Sequence, residues 1–183
     1  HFDVDVSAVL IGNSTSGAPI TQSLANLSQG DSENERAGNH IRPVYMGGRY
    51  TITGVDTAAQ LVTRVRVMLI QFKSNTAQTG EPAFGTLLAN QSRPFSYLQT
   101  NQTKQYRVLY DARHYIVNDK TSEAFTVYGE WNKNSKELTD ISFNDAATTG
   151  ENKYYLMVLS NYVNADNNRP TITADTRMYY IDP

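Results

Sequence analysis

The stretch Leu61-Val62-Thr63-Arg64-Val65-Arg66-Val67-Met68-Leu69-Ile70-Gln71-Phe72 reads as a β-strand with two unlike faces. On a period-two pleat, Val65, Val67 and Leu69 share one side, and Arg64, Arg66, Met68 and Ile70 share the other. The first side is apolar throughout. The second changes from charged to apolar along its length. Lys153 to Leu159 is apolar on both sides, with Tyr154, Leu156 and Val158 on one and Tyr155, Met157 and Leu159 on the other. Such a strand is covered twice, by a second sheet and by something else. In a chain with so little helical signal, a neighbouring subunit is the expected second cover.

The same period runs outward from these two segments through Phe2 to Leu10, Ile41 to Thr53, Gln105 to Val117, Ala124 to Trp131, Leu138 to Phe143 and Thr171 to Ile181, giving about eight strands. Turn clusters separate them, among them Gly12 to Gly17 and the polar run Gln29 to Asn39. Twelve Tyr suit strands, and 16 Asn mark turns. Helix is expected only at Pro82 to Asn90, with Pro82 in the first turn. The pattern predicts an all-β chain, a single domain over residues 1–183 built as one eight-stranded antiparallel jelly-roll sandwich. No repeat or linker divides it.

With 183 residues, 16 Lys and Arg against 18 Asp and Glu, and a net charge of −2, the chain is no ordinary polyanion binder. Its absence of Cys excludes disulfides and thiolate metal sites. Apolar runs such as Val67 to Ile70 are far short of the roughly 18 residues a membrane helix needs. The chain opens at His1 directly in strand-like alternation, without an initiator Met or a leader, so it is expected to begin inside a longer polypeptide.

The catalytic signals fail one by one. His1, His40 and His114 are far apart, and His114 reads as an ordinary strand residue. No Gly-x-Ser-x-Gly elbow nominates a nucleophile, and Gly47-Gly48-Arg49 reads as a turn or bulge rather than a phosphate loop. Eighteen acids offer no local pairing that would single out a glycosidase dyad. Sequons at Asn13, Asn26, Asn90 and Asn101 read as coincidence in a chain this rich in Asn, Ser and Thr. The chain is therefore not expected to be an enzyme. Tyrosines on strands could stack sugars, so the alternative to a structural protein is a secreted β-sandwich carbohydrate-binding module. The same tyrosines would serve a core and a subunit interface.

The segment Asn26-Leu27-Ser28-Gln29-Gly30-Asp31, continued through Arg36-Ala37-Gly38-Asn39-His40-Ile41-Arg42, resembles the stretch before the first long jelly-roll strand in satellite-virus coat proteins of the tobacco necrosis satellite type. The shared element is Gln-Gly-Asp, an Arg five residues after the Asp, a Gly two further on, and a basic-apolar strand. Capsid proteins of many small circular single-stranded DNA viruses are similar. Leu61 to Phe72 with its Pro-containing loop and Phe-x-x-Leu-Leu, Tyr106 to Asp111, and the terminal Tyr179-Tyr180-Ile181-Asp182 fit the same order.

The resemblance implies a capsid protein that self-assembles into a small icosahedral, T=1 shell in the virion, built in the host cell around a single-stranded genome. It leaves DNA or RNA open. It also implies a basic N-terminal arm before residue 1 as the main genome contact, and no membrane. Subunit contacts are expected at Asp31, Glu33, Glu35 and Arg36, with Arg36 reaching a carboxylate from an otherwise solvated loop. Calcium at a subunit interface is expected at Asp31 and Asp182, with carbonyls near Ala37 and His40. Arg64, Arg66, Lys104 and Arg107, basic and mostly on strands, are the candidate nucleic-acid contacts.

Overall fold

The computed structural model describes residues 1–12, 19–32, 35–54, 62–73, 83–102, 105–117, 126–144, 150–162 and 169–182. Glu33, Lys104 and Pro82, named above, lie outside them.

The chain is all-β, as expected. Ten strands run in order: β1 (Phe2–Leu10), β2 (Ile20–Ser23), β3 (His40–Thr53), β4 (Val62–Phe72), β5 (Tyr106–Val117), β6 (Thr126–Asn134), β7 (Ile141–Phe143), β8 (Gly150–Glu151), β9 (Lys153–Ser160) and β10 (Thr171–Ile181). The expected helix contracts to α1 (Phe84–Leu87). The first sheet has the order β1-β10-β3, and β3 then pairs with β6 over Tyr45–Thr53 and with β7 over His40–Ile41, β8 following β7. The second sheet has the order β2-β9-β4-β5. Every pairing between these strands is antiparallel.

The inward sides of both sheets form one core. Val6, Met46, Ile52, Trp131, Ile172 and Met178 of the first sheet meet Ile20, Val65, Val67, Leu69, Leu156 and Val158 of the second. At about 25 cal/mol per Å2 of buried apolar surface, each such side chain contributes roughly 1.5–3 kcal/mol. Gly47 and Gly48 lie in the middle of β3 and form no turn. The Trp131 ring occupies the space a Cβ at Gly48 would need, 2.2 Å away, and the Tyr45 ring does the same at Gly47. Gly48 is required by the buried Trp131 ring packed across from β6, whereas at Gly47 the clash is with the movable hydroxyl end of Tyr45.

The two faces of β4 and β9 are explained by a second core. Met68, Ile70, Phe72, Tyr106, Tyr155 and Met157 point outward from the second sheet and are covered by Phe84, Leu87 and Leu88. The second cover of β9 is thus the chain's own β4–β5 connection, which takes the place expected for a neighbouring subunit. That connection lays apolar side chains over the Met68–Phe72 end of β4 and the carbonyls of Pro94 and Ser96 over Arg66, so the outward side of β4 turns from apolar to charged there.

Candidate functional site

Four places in the sandwich gather polar or aromatic side chains. The first is the Gln-Gly-Asp segment, which is a tied knot. Arg36 N donates to Ser28 O, and Gly30 N donates to Arg36 O, both at 3.0 Å. The Glu35 side chain folds back to accept from Ser32 N at 3.0 Å and Ser28 Oγ at 3.4 Å, and the Ser32 bonds hold its carboxyl below the usual range. A Cβ at Gly30 would sit 2.1 Å from that carboxylate, so a larger residue there would turn the Glu35 side chain aside.

The expectation for Arg36 is corrected here. Its side chain points inward and is fully buried within one chain. The guanidinium donates to the carbonyls of Leu27 and Gly38 and to Asn39 Oδ1, and lies 4.2 Å over the Phe143 ring. An inward Arg bonded to carbonyls serves the fold and is not presented to a neighbour. Asp31 is exposed.

Asp182 closes the knot from the far end of the chain. Its carboxylate accepts from the N–H groups of Ala37 and Gly38, while Tyr180 donates to Glu35 O at 2.7 Å. Burial, and after it Asp182 and Glu35, raise the Tyr180 phenol above its ordinary range. These residues do not fit calcium within one chain. Asp182 faces hydrogen-bond donors, Ala37 O accepts from Gln29 Nε2, and Gly38 O accepts from Arg36. Among the described residues no three His, Cys, Asp or Glu are arranged to hold a metal ion.

The second place is the polar end of the second sheet's outward side, where residues 93–97 of the β4–β5 connection lie over it. Arg66 is fully buried there, gripping Asp111 through Nε–Oδ1 and Nη2–Oδ2 bonds of 2.7 Å and donating to the carbonyls of Pro94 and Ser96. A guanidinium so committed cannot bind phosphate, so its nomination as a nucleic-acid contact is corrected. Arg64 remains exposed, in register with Tyr115 and 5.9 Å from its ring. The fold brings Arg93, Arg113, Phe95 and Tyr97 to it. Arg113 lies over Phe95, Phe95 packs edge-on to Tyr115, and Arg64, Arg93, Phe95 and Tyr97 line one cleft. Arg107 is exposed farther along β5.

The third place joins the sheets. Tyr50 of β3 bonds Tyr110 at 2.9 Å and His114 Nε2 at 2.7 Å, both on β5, with Trp131 of β6 stacked against the two tyrosines. Burial lowers the His114 pKa and, with Tyr110 beside it, raises that of Tyr50. This is a buried bridge, in keeping with an ordinary strand residue at His114.

The fourth place is the outward face of the first sheet. It holds a groove of about 750 Å3 lined by Tyr45, Gly47, Arg49, Asn132, Arg177 and Tyr179, with four carboxylates around them. Sequence reasoning did not find this face. Its residues come from β1, β3, β6 and β10, and only the strand register puts them side by side.

No protein-family model matches this chain, and no curated protein matches it. The class defined by fold and site is an all-β protein of two antiparallel sheets around one core, with a tied loop and two unlike outer faces.

Proposed function

We propose that the chain is the shell-forming domain of a small virus capsid protein, an eight-stranded jelly roll that assembles with copies of itself into a T=1 icosahedral particle around a single-stranded genome. The observation that carries this reading is the order of pairing. Leaving aside the short β7–β8 hairpin, the pairs are nested: β1 with β10, β2 with β9, β3 with β6, β4 with β5. That is one long antiparallel ribbon folded at the β4–β5 connection. The remaining pairs, β10 with β3 and β9 with β4, are what rolling the ribbon produces. A ribbon rolled into two four-stranded sheets is the jelly-roll plan, which serves capsids and lectins alike.

Two further features favour a shell. Among the described residues β1, β5 and β6, of 9, 12 and 9 residues, each pair on one side only. Long open edges are a liability in a monomer and are relieved when copies cover them. The Gln-Gly-Asp segment, which carries the resemblance to satellite coat proteins, is a fixed knot with Asp31 on its surface, suited to an assembly contact. Within these residues, genome contact falls to Arg64, Arg93 and Arg113 beside Tyr97 and Tyr115, guanidiniums for phosphate and rings for bases.

Negative-stain images and sedimentation of the purified chain test the reading. Closed particles of uniform size are expected, and Asp31→Lys should abolish them while leaving the unfolding midpoint of the subunit unchanged. A chain that stays monomeric from low to high salt, with and without single-stranded oligonucleotide, overturns it.

A further inference from the structure

We infer that the groove on the outward face of the first sheet is a binding site for a neutral saccharide of one to three sugar units. The inference does not rest on shell formation.

Strand register lays this face out in transverse rows. Tyr179 stands opposite Tyr45. The next row runs Asp3, Arg177, Gly47, Asn132, and the one after it Asp5, Asp175, Arg49, Glu130. Gly47 is the gap in the middle. Because it has no side chain, Tyr45 lies down across it, and its hydroxyl donates to Asn132 Oδ1 at 2.7 Å. The Tyr45 ring thus floors the groove at its centre, with Tyr179 beside it, the two being 38% and 43% exposed. The groove's volume, about 750 Å3, lies within the roughly 300–1,000 Å3 of small-molecule sites.

The chemistry of the walls excludes most ligand classes. Four carboxylates face two guanidiniums, so phosphates and sulfates are repelled. No aliphatic side chain lines the groove, so it offers nothing to a lipid or an apolar peptide segment. The acids are not gathered as a metal site among the described residues. What remains is a ligand with many hydroxyls and no charge. Arg177 is held by Asp3 through bonds of 2.8 and 2.9 Å, and Arg49 lies 3.9 Å from Glu130. Such pre-set pairs offer donors and acceptors side by side, the arrangement that vicinal hydroxyls match. The tyrosine rings supply flat apolar faces for the C–H side of a sugar ring. Asp5 and Asp175 stand directly opposite each other, a placement that costs stability in an antiparallel pair and that the fold does not require. Accepting from a diol gives it a use.

The test is binding of the intact chain to arrayed oligosaccharides, neutral ones terminated by glucose, galactose, mannose or N-acetylglucosamine, with sulfated and sialylated glycans and a single-stranded oligonucleotide as separate arms. Hits are then titrated by calorimetry. Binding to a neutral glycan is expected, with a dissociation constant of roughly 0.1–1 mM and little dependence on salt. Tyr179→Ala and Asp175→Asn should each weaken it about tenfold or more, while Val117→Ala, exposed on β5 of the other sheet, leaves it unchanged. Both variants sit on the surface, and an unaltered unfolding midpoint separates lost binding from lost fold. No neutral glycan bound at about 10 mM, binding only to the charged arms, or neutral binding undiminished in both variants would overturn the inference.

Discussion

The two sheets share one core but treat their other sides in opposite ways. The second sheet sends Met68, Ile70, Phe72 and Met157 outward and covers them with its own β4–β5 connection. The first sheet sends out Asp3, Asp5, Arg49, Glu130, Asp175 and Arg177, and no described segment covers them. Both faces obey the same period of two, and only the chemistry at alternate positions differs. An apolar outward row drives a connection down onto the sheet. A charged row keeps the face open, where it can meet a ligand. Arg66 marks the boundary between the two treatments within a single strand.

That boundary is where the comparison breaks hardest. Arg66→Ala removes the buried charge between Asp111 and the carbonyls of Pro94 and Ser96. Losing one partner of a buried, hydrogen-bonded pair costs about 3–5 kcal/mol, toward the lower end here because the Asp111 side chain is 24% exposed and can regain water. A lowered urea midpoint with an unchanged denaturant slope is the expected reading. A loss under about 1 kcal/mol would mean the connection is not anchored there.

The roof itself is next. Phe84→Ala, at a side chain only 4% exposed, should cost about 3 kcal/mol through lost transfer energy and a cavity. On the open face, Asp175→Asn should stay within about 0.5 kcal/mol of the parent. Equal losses at the two positions would erase the distinction between covered and open faces. Gly48→Ala comes below Phe84→Ala. Its new Cβ would meet the Trp131 ring, and overpacking of this kind costs about 1–3 kcal/mol. Thermal unfolding of the variant measures it. A neutral result would mean that Trp131 moves freely, which the rings of Tyr50 and Tyr110 against it argue against.

The strands were legible because period-two patterning survives wherever one side is buried. β2, four residues long, was too short to show a period, and Leu138 to Phe143 proved to hold β7, a strand outside the nested pairs. About eight strands were expected and the described residues hold ten, β2 and the two-residue β8 being the ones without a counterpart in the sequence pattern. The changing face of β4 could be read, but what covered it could not, since a connection folding back from residues 83–99 leaves no mark on β4 itself. At the Gln-Gly-Asp segment the motif could be found but the direction of Arg36 could not. Asn39 is a near neighbour, but Phe143, and the Asp182 and Tyr180 that close the loop, come from sequence-distant places. The groove was hidden for the same reason. Spacing along one strand says which residues share a face, but not which rows stand beside them.

The smallest expected effect concerns the bridge between the sheets. His114 accepts or donates at Tyr50 Oη in a half-buried setting, and burial holds its pKa below the ordinary 6.5. The unfolded chain, with an unshifted imidazole, therefore takes up a proton first as the pH falls. More protons bound to the unfolded state means that stability rises with pH, so the folded state is favoured above about 6.5 and loses ground below it. Below the native pKa the loss levels off, because both states are then charged. His114→Phe removes this titration while keeping a ring beside Tyr50, though Tyr50 then lacks one partner and the variant starts from lower stability. The informative quantity is the difference in slope. Between about pH 7.5 and about pH 5.5 the urea midpoint of the parent should fall more than that of His114→Phe. Parallel curves for the two proteins would mean that the imidazole is as well solvated in the folded chain as in the unfolded one, and that the contact between the sheets at Tyr50 is open to water.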